Sequence, residues 1–441
     1  MRAPYIPKEE AGLIRALGVP GLSANIVNST VGAGIFVLPA LVAKGLGSAA
    51  PLAFLVCAGA MVLFVTCFAI AGSRVSLTGG LYAYVEVAFG RYVGFLASVL
   101  YGITAVSAVA GVGNVLVDSV AGMLPWLHNP IVRVLAMLLI YSLLAITNVR
   151  SVRAGAGAVA GVTLIKLLPL LLFICAGIFF IHPANISWPG WPGSKALGDS
   201  VLLLIFAFVG IEVALIPSGE VKNPARTVPR AIFIALAVTT VLYIMIQLVA
   251  QGVLGANLAN HPSTPLAEAA GKFLGNLGRT ILLVGATISA FGFIASDILS
   301  SPRMLFAVGR DDILPAWFAH VHRRYHSPDV AIIVYATIAF TLSVSSSFEA
   351  LAVLSNVAVL LMYLLCCAGV WPLIRRTRRL DKEPLIFPGM QVVPALATVT
   401  ILWLFWLTQP WDKFVKIGGI LVGASLLYLL RVTFRTNRSV G

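Results

Sequence analysis

Long apolar runs separated by short polar loops organise this chain, and each run is long enough to cross a bilayer. Twelve can be drawn, over about 17–43, 50–72, 81–122, 131–148, 155–181, 199–217, 229–253, 278–309, 329–345, 349–374, 390–408 and 411–432. The third and eighth exceed the length of one crossing, so they are expected to tilt or to extend into the cytoplasm. Trp126, Trp188, Trp191 and Trp411 fall at the ends of runs, where interfacial aromatics sit. Pro189, Pro192 and Gly193 make the loop before the sixth run a turn-rich external cap. The pattern predicts an all-α polytopic membrane protein with 12 transmembrane helices.

Two runs are interrupted. The first contains Asn28-Ser29-Thr30-Val31-Gly32-Ala33-Gly34-Ile35-Phe36, in which two glycines bracketing an alanine weaken the helix at mid-depth. Unwound backbone at that depth must be buried in protein or line a wet cavity, because lipid satisfies neither amides nor carbonyls. Amides at the start of the following half-helix attract an anion such as a substrate carboxylate. The plainer alternative is a pair of glycines that lets a neighbouring helix pack closely. The sixth run repeats the feature, with Phe206-Ala207-Phe208-Val209 meeting Gly210 and Glu212. If runs one to five and six to ten are related halves, the interruptions correspond, and the odd number of crossings inverts one half. Interrupted helices at matching positions point to a transport site near the bilayer midplane.

Composition narrows the class: 59% hydrophobic and 10% charged residues exclude an ordinary soluble domain. The first run is too long for a signal peptide, continues past its glycines and has no small-residue cleavage pattern. The net charge of +14 raises the possibility of nucleic acid, but placement argues otherwise. Most Lys and Arg fall in loops on the amino-terminal side, which predicts cytoplasmic termini in a cytoplasmic (inner) membrane and no nucleic-acid partner. Arg375-Arg376-Thr377-Arg378-Arg379 then reads as a topology anchor beside anionic lipid headgroups. Cys57, Cys67, Cys175, Cys366 and Cys367 lie in apolar runs without metal-type spacing and read as buried small hydrophobes.

Charged residues inside spans are costly and therefore functional candidates. Lys166 lies mid-span with no carboxylate within a turn, so its ammonium needs distant partners, for which freed carbonyls of a broken helix are suitable. The alternative is a lysine that snorkels to an interface. Glu212 reads either as a titratable group coupled to opening or as a carboxylate fixed by neighbouring helices. Asp297 either lines the side-chain end of a pocket or faces water near the cytoplasmic half. His320, His322 and His326 sit among arginines that repel a cation, so a solvated basic loop is favoured over a metal site. No nucleotide-binding Gly-Lys-Ser pattern occurs, and no cofactor is expected.

Several motifs carry a resemblance. Val31-Gly32-Ala33-Gly34-Ile35-Phe36 resembles the first-helix motif of the amino acid–polyamine–organocation transporters. Gly219-Glu220-Val221-Lys222-Asn223-Pro224-Ala225-Arg226-Thr227-Val228-Pro229-Arg230-Ala231-Ile232 is similar to their segment after helix six. Thr78-Gly79-Gly80-Leu81-Tyr82-Ala83-Tyr84, with Phe89-Gly90, resembles their entry to helix three; Ser301-Pro302-Arg303-Met304 through Asp311-Asp312-Ile313-Leu314-Pro315 resembles the end of helix eight. The likeness extends to bacterial L-type exchangers and arginine/agmatine-type antiporters.

The resemblance implies a LeuT-type five-plus-five inverted repeat with broken helices 1 and 6. On that basis 1–16 is a cytoplasmic N-terminal segment, 17–181 and 199–374 are the two repeats, 390–432 holds helices 11 and 12, and 433–441 is a cytoplasmic tail. It implies that amides at Ala33 and Gly34 hold a substrate α-carboxylate, and that carbonyls at Thr30, Phe206 and Val209 hold the α-amino group. It makes Phe206 an aromatic lid, and Lys166 the ammonium that replaces sodium and ties helix five to the first half-helix. Related antiporters carry an acid at the position of Glu212, which suits a gating role. Val109 on helix three and Ser355 or Asn356 on helix ten are candidates for the side-chain pocket. Ala33 stands where a serine is frequent, which removes one hydroxyl and leaves the backbone role intact.

The expected function is sodium-independent exchange of neutral L-amino acids by alternating access, with membrane lipid as the surrounding partner. The near rival is a proton-coupled importer or an antiporter of cationic amino acids or polyamines. A membrane enzyme would need convergent His, Asp or Ser groups at an interface, and the sequence arranges none. A channel, or a sensor that no longer moves substrate, is the remaining alternative.

Overall fold

A computed structural model describes residues 18–75, 80–150, 166–188, 190–212, 221, 223–310, 314–376 and 385–438. The expectations placed on 1–16, Thr78-Gly79, the first part of the fifth span, Gly219, Glu220, Lys222, Asp311-Asp312-Ile313 and residues 377–384 lie outside the described residues, as does the end of the tail. Every described element longer than one residue is helical. Among the described residues, seven segments are long and apolar enough to cross a membrane: Leu38–Gly72, Arg91–Ala121, Pro130–Arg150, Arg226–Asn260, Pro265–Arg310, Phe348–Arg375 and Trp411–Arg431. Lys166–Phe180, Asp329–Ser345 and Val393–Thr408 are shorter apolar helices. The architecture is that of a polytopic helical membrane protein.

The first interrupted run divides into α1 (Val19–Thr30), a 3-10 turn (Ala33–Phe36) and α2 (Leu38–Leu46). Gly47, at φ +54, ends α2 before α3 (Ala50–Gly72). The expected third span, 81–122, is not one helix. It bends at Gly90, whose φ of +94 is readily adopted only by glycine, into α4 (Leu81–Phe89) and α5 (Arg91–Ala121). Then come α6 (Pro130–Arg150), α7 (Lys166–Phe180), α8 (Ser194–Phe208) and α9 (Pro224–Leu254).

The expected eighth span, 278–309, also differs. α10 runs Pro265–Ser300 with non-helical backbone at Gly275 (φ 61, ψ −155), and α11 (Pro302–Arg310) starts anew because Pro302 has no amide hydrogen to continue the ladder. Among the described residues α12 (Asp329–Ser345), α13 (Phe348–Arg376), α14 (Val393–Thr408) and α15 (Trp411–Arg438) follow.

The interior is built around α3, α5, α8 and α13, with α9 against α1 and α3. Tyr363 of α13 is fully buried, its ring 4.8 Å from Phe68 and 5.8 Å from Phe64 of α3. On α15, by contrast, Val415, Val422, Leu426, Leu429 and Leu430 are all more than half exposed, an apolar face suited to lipid and costly in water. The tryptophans expected at interfaces, Trp126, Trp188, Trp191 and Trp411, are exposed next to helix ends. Four cysteines are buried as expected, but Cys175 is exposed on α7, where an outward face needs only an apolar side chain.

Hydroxyls lock α5, α6 and α12 together. Tyr141 OH donates to Val109 O at 3.0 Å, Ser343 Oγ donates to Ala110 O at 2.8 Å, and the two hydroxyl oxygens touch at 2.8 Å. Gly113 makes room for them: a Cβ there would lie 2.5 Å from Tyr141 Oη and 2.9 Å from Ser343 Oγ. Replacing Gly113→Val should therefore cost about 1–3 kcal/mol through overpacking. A lower thermal midpoint of the purified protein in detergent is the expected result; an unchanged midpoint would contradict this packing.

Candidate functional site

Each interruption leaves backbone groups that a continuous helix would consume. At the first, Val31 N–H still bonds Val27 O at 2.8 Å, but Gly32 N–H turns to Thr30 O at 2.9 Å. The Asn28 carbonyl is the one that Gly32 would have engaged in a regular i→i−4 ladder. Lys166 Nζ donates to Asn28 O in its place. The ammonium thus substitutes for a missing peptide donor and ties α7 to the end of α1. Beyond the break, Ala33 and Gly34 open a 3-10 turn that has no side-chain cap. Their amides, like the first amides of any helix, have no intrahelical acceptor.

At the second interruption α8 ends at Phe208, Val209 is extended (φ −61, ψ 136) and Gly210 adopts φ +107. Gly210 is needed for two reasons. The positive φ disfavours any side chain, and a Cβ there would lie 2.7 Å from Ser29 O and 3.5 Å from Thr30 Cα of the first break. The two breaks therefore abut, backbone against backbone. They meet a second time where Phe206 lies on Gly34, whose Cβ, if present, would sit 2.9 Å from Phe206 Cδ1. Phe206 is also edge-on to Phe348 of α13, ring centroids 5.3 Å apart.

Sequence reasoning missed the side chain that joins the breaks. Tyr243 of α9, fully buried, donates toward Thr30 O at 3.0 Å and Ala207 O at 2.9 Å. A tyrosine buried in an apolar span must find a partner for its hydroxyl, and that was the available signal. With Gly32 N–H and the Tyr243 hydroxyl both on it, the Thr30 carbonyl has two hydrogen bonds, filling its two lone pairs.

Glu212 is buried, and its Oε2 accepts from Gly210 N–H at 3.0 Å and Tyr363 OH at 2.9 Å. It fixes the second break to α13, the arrangement anticipated for a carboxylate held by neighbouring helices. Val109 is buried in α5, and Ser355 Oγ donates to Thr104 O at 3.0 Å across the α5–α13 contact. Asn356 Nδ2 donates to Leu202 O at 2.7 Å and Leu203 O at 3.1 Å, joining α13 to α8. Thus Thr30, Ala33, Gly34, Phe206, Val209, Glu212 and Lys166 all lie at the two breaks or on a group they expose. Val109 and Ser355 lie on α5 and α13, which pack against each other, and a Cβ on Gly111 of α5 would lie 3.4 Å from the Phe348 ring of α13.

Asp297, in the last turn of α10, accepts from Tyr335 OH of α12 at 2.5 Å. The histidine loop is engaged locally: His320 Nδ1 is 2.7 Å from Asp329 Oδ1. No group of three or more His, Cys, Asp or Glu that could hold a metal occurs among the described residues.

A family model described as "Amino acid permease" matches residues 17–431. The serine/threonine exchanger SteT of Bacillus subtilis (strain 168) is 25% identical over 405 residues, which are 88% of this chain and 90% of that protein. The methylthioribose transporter of the same organism is 30% identical over 441 residues, 95% of this chain and 93% of the relative. Cationic amino acid transporter 4 of Mus musculus is 29% identical over 379 residues, covering 80% of this chain and 59% of the relative. With the match running through nearly the whole chain, this integral membrane protein is a transporter, not an enzyme, and belongs to the amino acid permease family.

Proposed function

We propose that this chain exchanges neutral L-amino acids across the cytoplasmic membrane without sodium, by alternating access around the paired breaks. The observation that carries the reading is the Lys166 ammonium on the Asn28 carbonyl. A fixed cation at a helix break does what a bound alkali ion would do: it neutralises freed carbonyl dipoles and links two helices, and it needs no ion gradient to stay there. In this reading the Ala33 and Gly34 amides take the substrate carboxylate, for which uncapped helix starts are suited. The ammonium end is taken by carbonyls at Phe206 and Val209, and by Thr30 once Tyr243 lets go of it. Phe206, wedged between Gly34 and Phe348, closes the site from outside, with Val109 and Ser355 backing the side-chain end. Glu212 couples the second break to α13 through Gly210 and Tyr363. Substrate drives the change only if it binds the occluded state more tightly than the open ones. The chain crosses as an inverted repeat, five helices against five, with cytoplasmic termini.

The second reading, a proton-coupled or cation-selective carrier, draws support from relatives named as cationic amino acid transporters. Counterflow in proteoliposomes separates the two. Uptake of labelled neutral amino acid should require unlabelled amino acid inside and be indifferent to sodium and to an imposed pH gradient. Uptake into empty vesicles driven by a proton gradient alone would overturn exchange.

Loss of a hydrogen bond from a charged donor costs about 1.5–3 kcal/mol, so Lys166→Ala should lower exchange roughly ten- to a hundred-fold. Unchanged exchange would remove the ammonium from the mechanism. Gly34→Ala should also impair exchange, because its methyl meets the Phe206 ring. Adding Phe206→Leu should restore part of the loss; a double variant no better than the single one would show that the ring contact is not what limits transport.

A further inference from the structure

The break at Gly275 divides α10 into two parts that pack on one another. In a straight helix Ala270 and Gly278 stand about 12 Å apart along the axis. Here a Cβ on Gly278 would lie 3.0 Å from Ala270 O, and one on Gly271 would lie 3.7 Å from Arg279 Cβ. Residues 265–274 are therefore folded back on the start of 276–300. Leu266, Ala267, Ala269 and Ala270 of this segment are buried. Thr264, Leu266 and Ala267 line a small cavity together with Ser119 of α5 and Phe36, the last residue of the 3-10 turn after the first break. The folded-back segment thus lies against the turn whose amides the exchange scheme gives to the substrate carboxylate.

One side chain fastens it there. Arg279 Nε donates to Glu268 Oε1 of the segment at 3.0 Å, and Arg279 Nη1 donates to Gly122 O, at the end of α5, also at 3.0 Å. The last carbonyls of a helix have no intrahelical donor and form the negative end of its dipole, so a guanidinium suits them. Its planar fork also offers donors in two directions at once, which an ammonium on a flexible stem does not. The end of α5 is itself a fixed post. Arg133 of α6 donates to Asp118 and, at 2.8 Å, to Asn114, one and two turns before Gly122 on the same face. The side chains of Arg279 and Glu268 remain 35% and 28% exposed, so their attraction is screened and adds little to global stability. What the contact fixes is where the segment lies.

The geometry points to Arg279 and Glu268 as positioning residues for transport: with the Gly122 carbonyl they clamp residues 265–274 over the first break, and release of the clamp lets the segment lift about Gly275. A glycine at φ +61 can absorb the backbone change that such a movement needs. In the proposed topology α10 begins on the side opposite the termini, so the clamp closes the site from outside. The inference rests on the transport reading for its kinetic consequence; the clamp itself does not.

The test pairs two measurements on purified full-length protein. Cys175, the exposed cysteine, is first replaced by Ala, and Ala267→Cys places a thiol under the segment. In detergent a water-soluble maleimide should label this thiol slowly. Labelling should quicken in Glu268→Gln and more so in Arg279→Gln, which loses both contacts, with the thermal midpoint unchanged in each. Exchanging the charges, Glu268→Arg with Arg279→Glu, restores a pair but sets a carboxylate beside Gly122 O, and should label as fast as Arg279→Gln. In proteoliposomes Arg279→Gln should lower the maximal exchange rate roughly five- to ten-fold, with KM for outside substrate unchanged, because closure rather than first contact is weakened. Labelling that is equally fast before and after these changes would overturn the clamp. So would a midpoint that falls along with it, which would make the pair a prop of the whole fold. Slow labelling in the exchanged pair would remove α5 from the clamp, and an undiminished exchange rate would remove the clamp from the cycle. If the wild-type protein exchanges no amino acid, the transport reading fails, and thiol labelling decides the clamp by itself.

Discussion

The close approach of two broken helices is the constraint on which the rest of this molecule depends. Ser29 O and the Gly210 Cα share a space that admits no methyl group, and Phe206 covers Gly34 with equally little clearance. Both contacts require glycine, one for a positive φ and van der Waals room, the other for room alone. Backbone brought together in this way, at the depth of a membrane, must have its freed groups satisfied by protein. Lys166 satisfies the carbonyl of Asn28, Tyr243 those of Thr30 and Ala207, and Glu212 the amide of Gly210. Each satisfier comes from a different element, so the junction also ties α7, α9 and, through Tyr363, α13 to the centre.

This arrangement separates groups that are spent from groups that remain available. The carbonyl of Thr30 already holds two hydrogen bonds, whereas the amides opening the turn at Ala33 have no helical acceptor. On the proposed reading, the substrate carboxylate meets amides without a helical acceptor, while the substrate ammonium competes with a tyrosine hydroxyl. On that proposal the asymmetry couples substrate binding to movement, because filling the cationic half of the site competes with the Tyr243 bond between α9 and both breaks. Differential affinity of this kind is what population of an occluded state requires.

Much of the centre was legible in the sequence because it depends on residues with unusual backbone or unusual cost. Glycines inside apolar runs mark Gly32, Gly34 and Gly210, and an isolated lysine or acid in such a run marks Lys166 and Glu212. The groups that answer them were not legible. Tyr243 and Tyr363 bond to a carbonyl and a carboxylate supplied by remote segments, and a tyrosine in an apolar run looks like any other core aromatic. The bend at Gly90 was hidden for the opposite reason: hydrophobic residues continue on both sides, so composition reads through a turn that only its φ reveals. Exposure of Cys175 follows from which face of α7 meets lipid, and no single residue states that.

The proposed site holds a zwitterion at both of its ends by peptide groups. Thermal stabilisation of the purified protein should be measured with a neutral amino acid, with its decarboxylated amine and with its deaminated acid, each with and without sodium. Stabilisation by the intact amino acid alone, unaffected by sodium, is the predicted result. Equal stabilisation by either single-ended analogue, or a requirement for sodium, would contradict it.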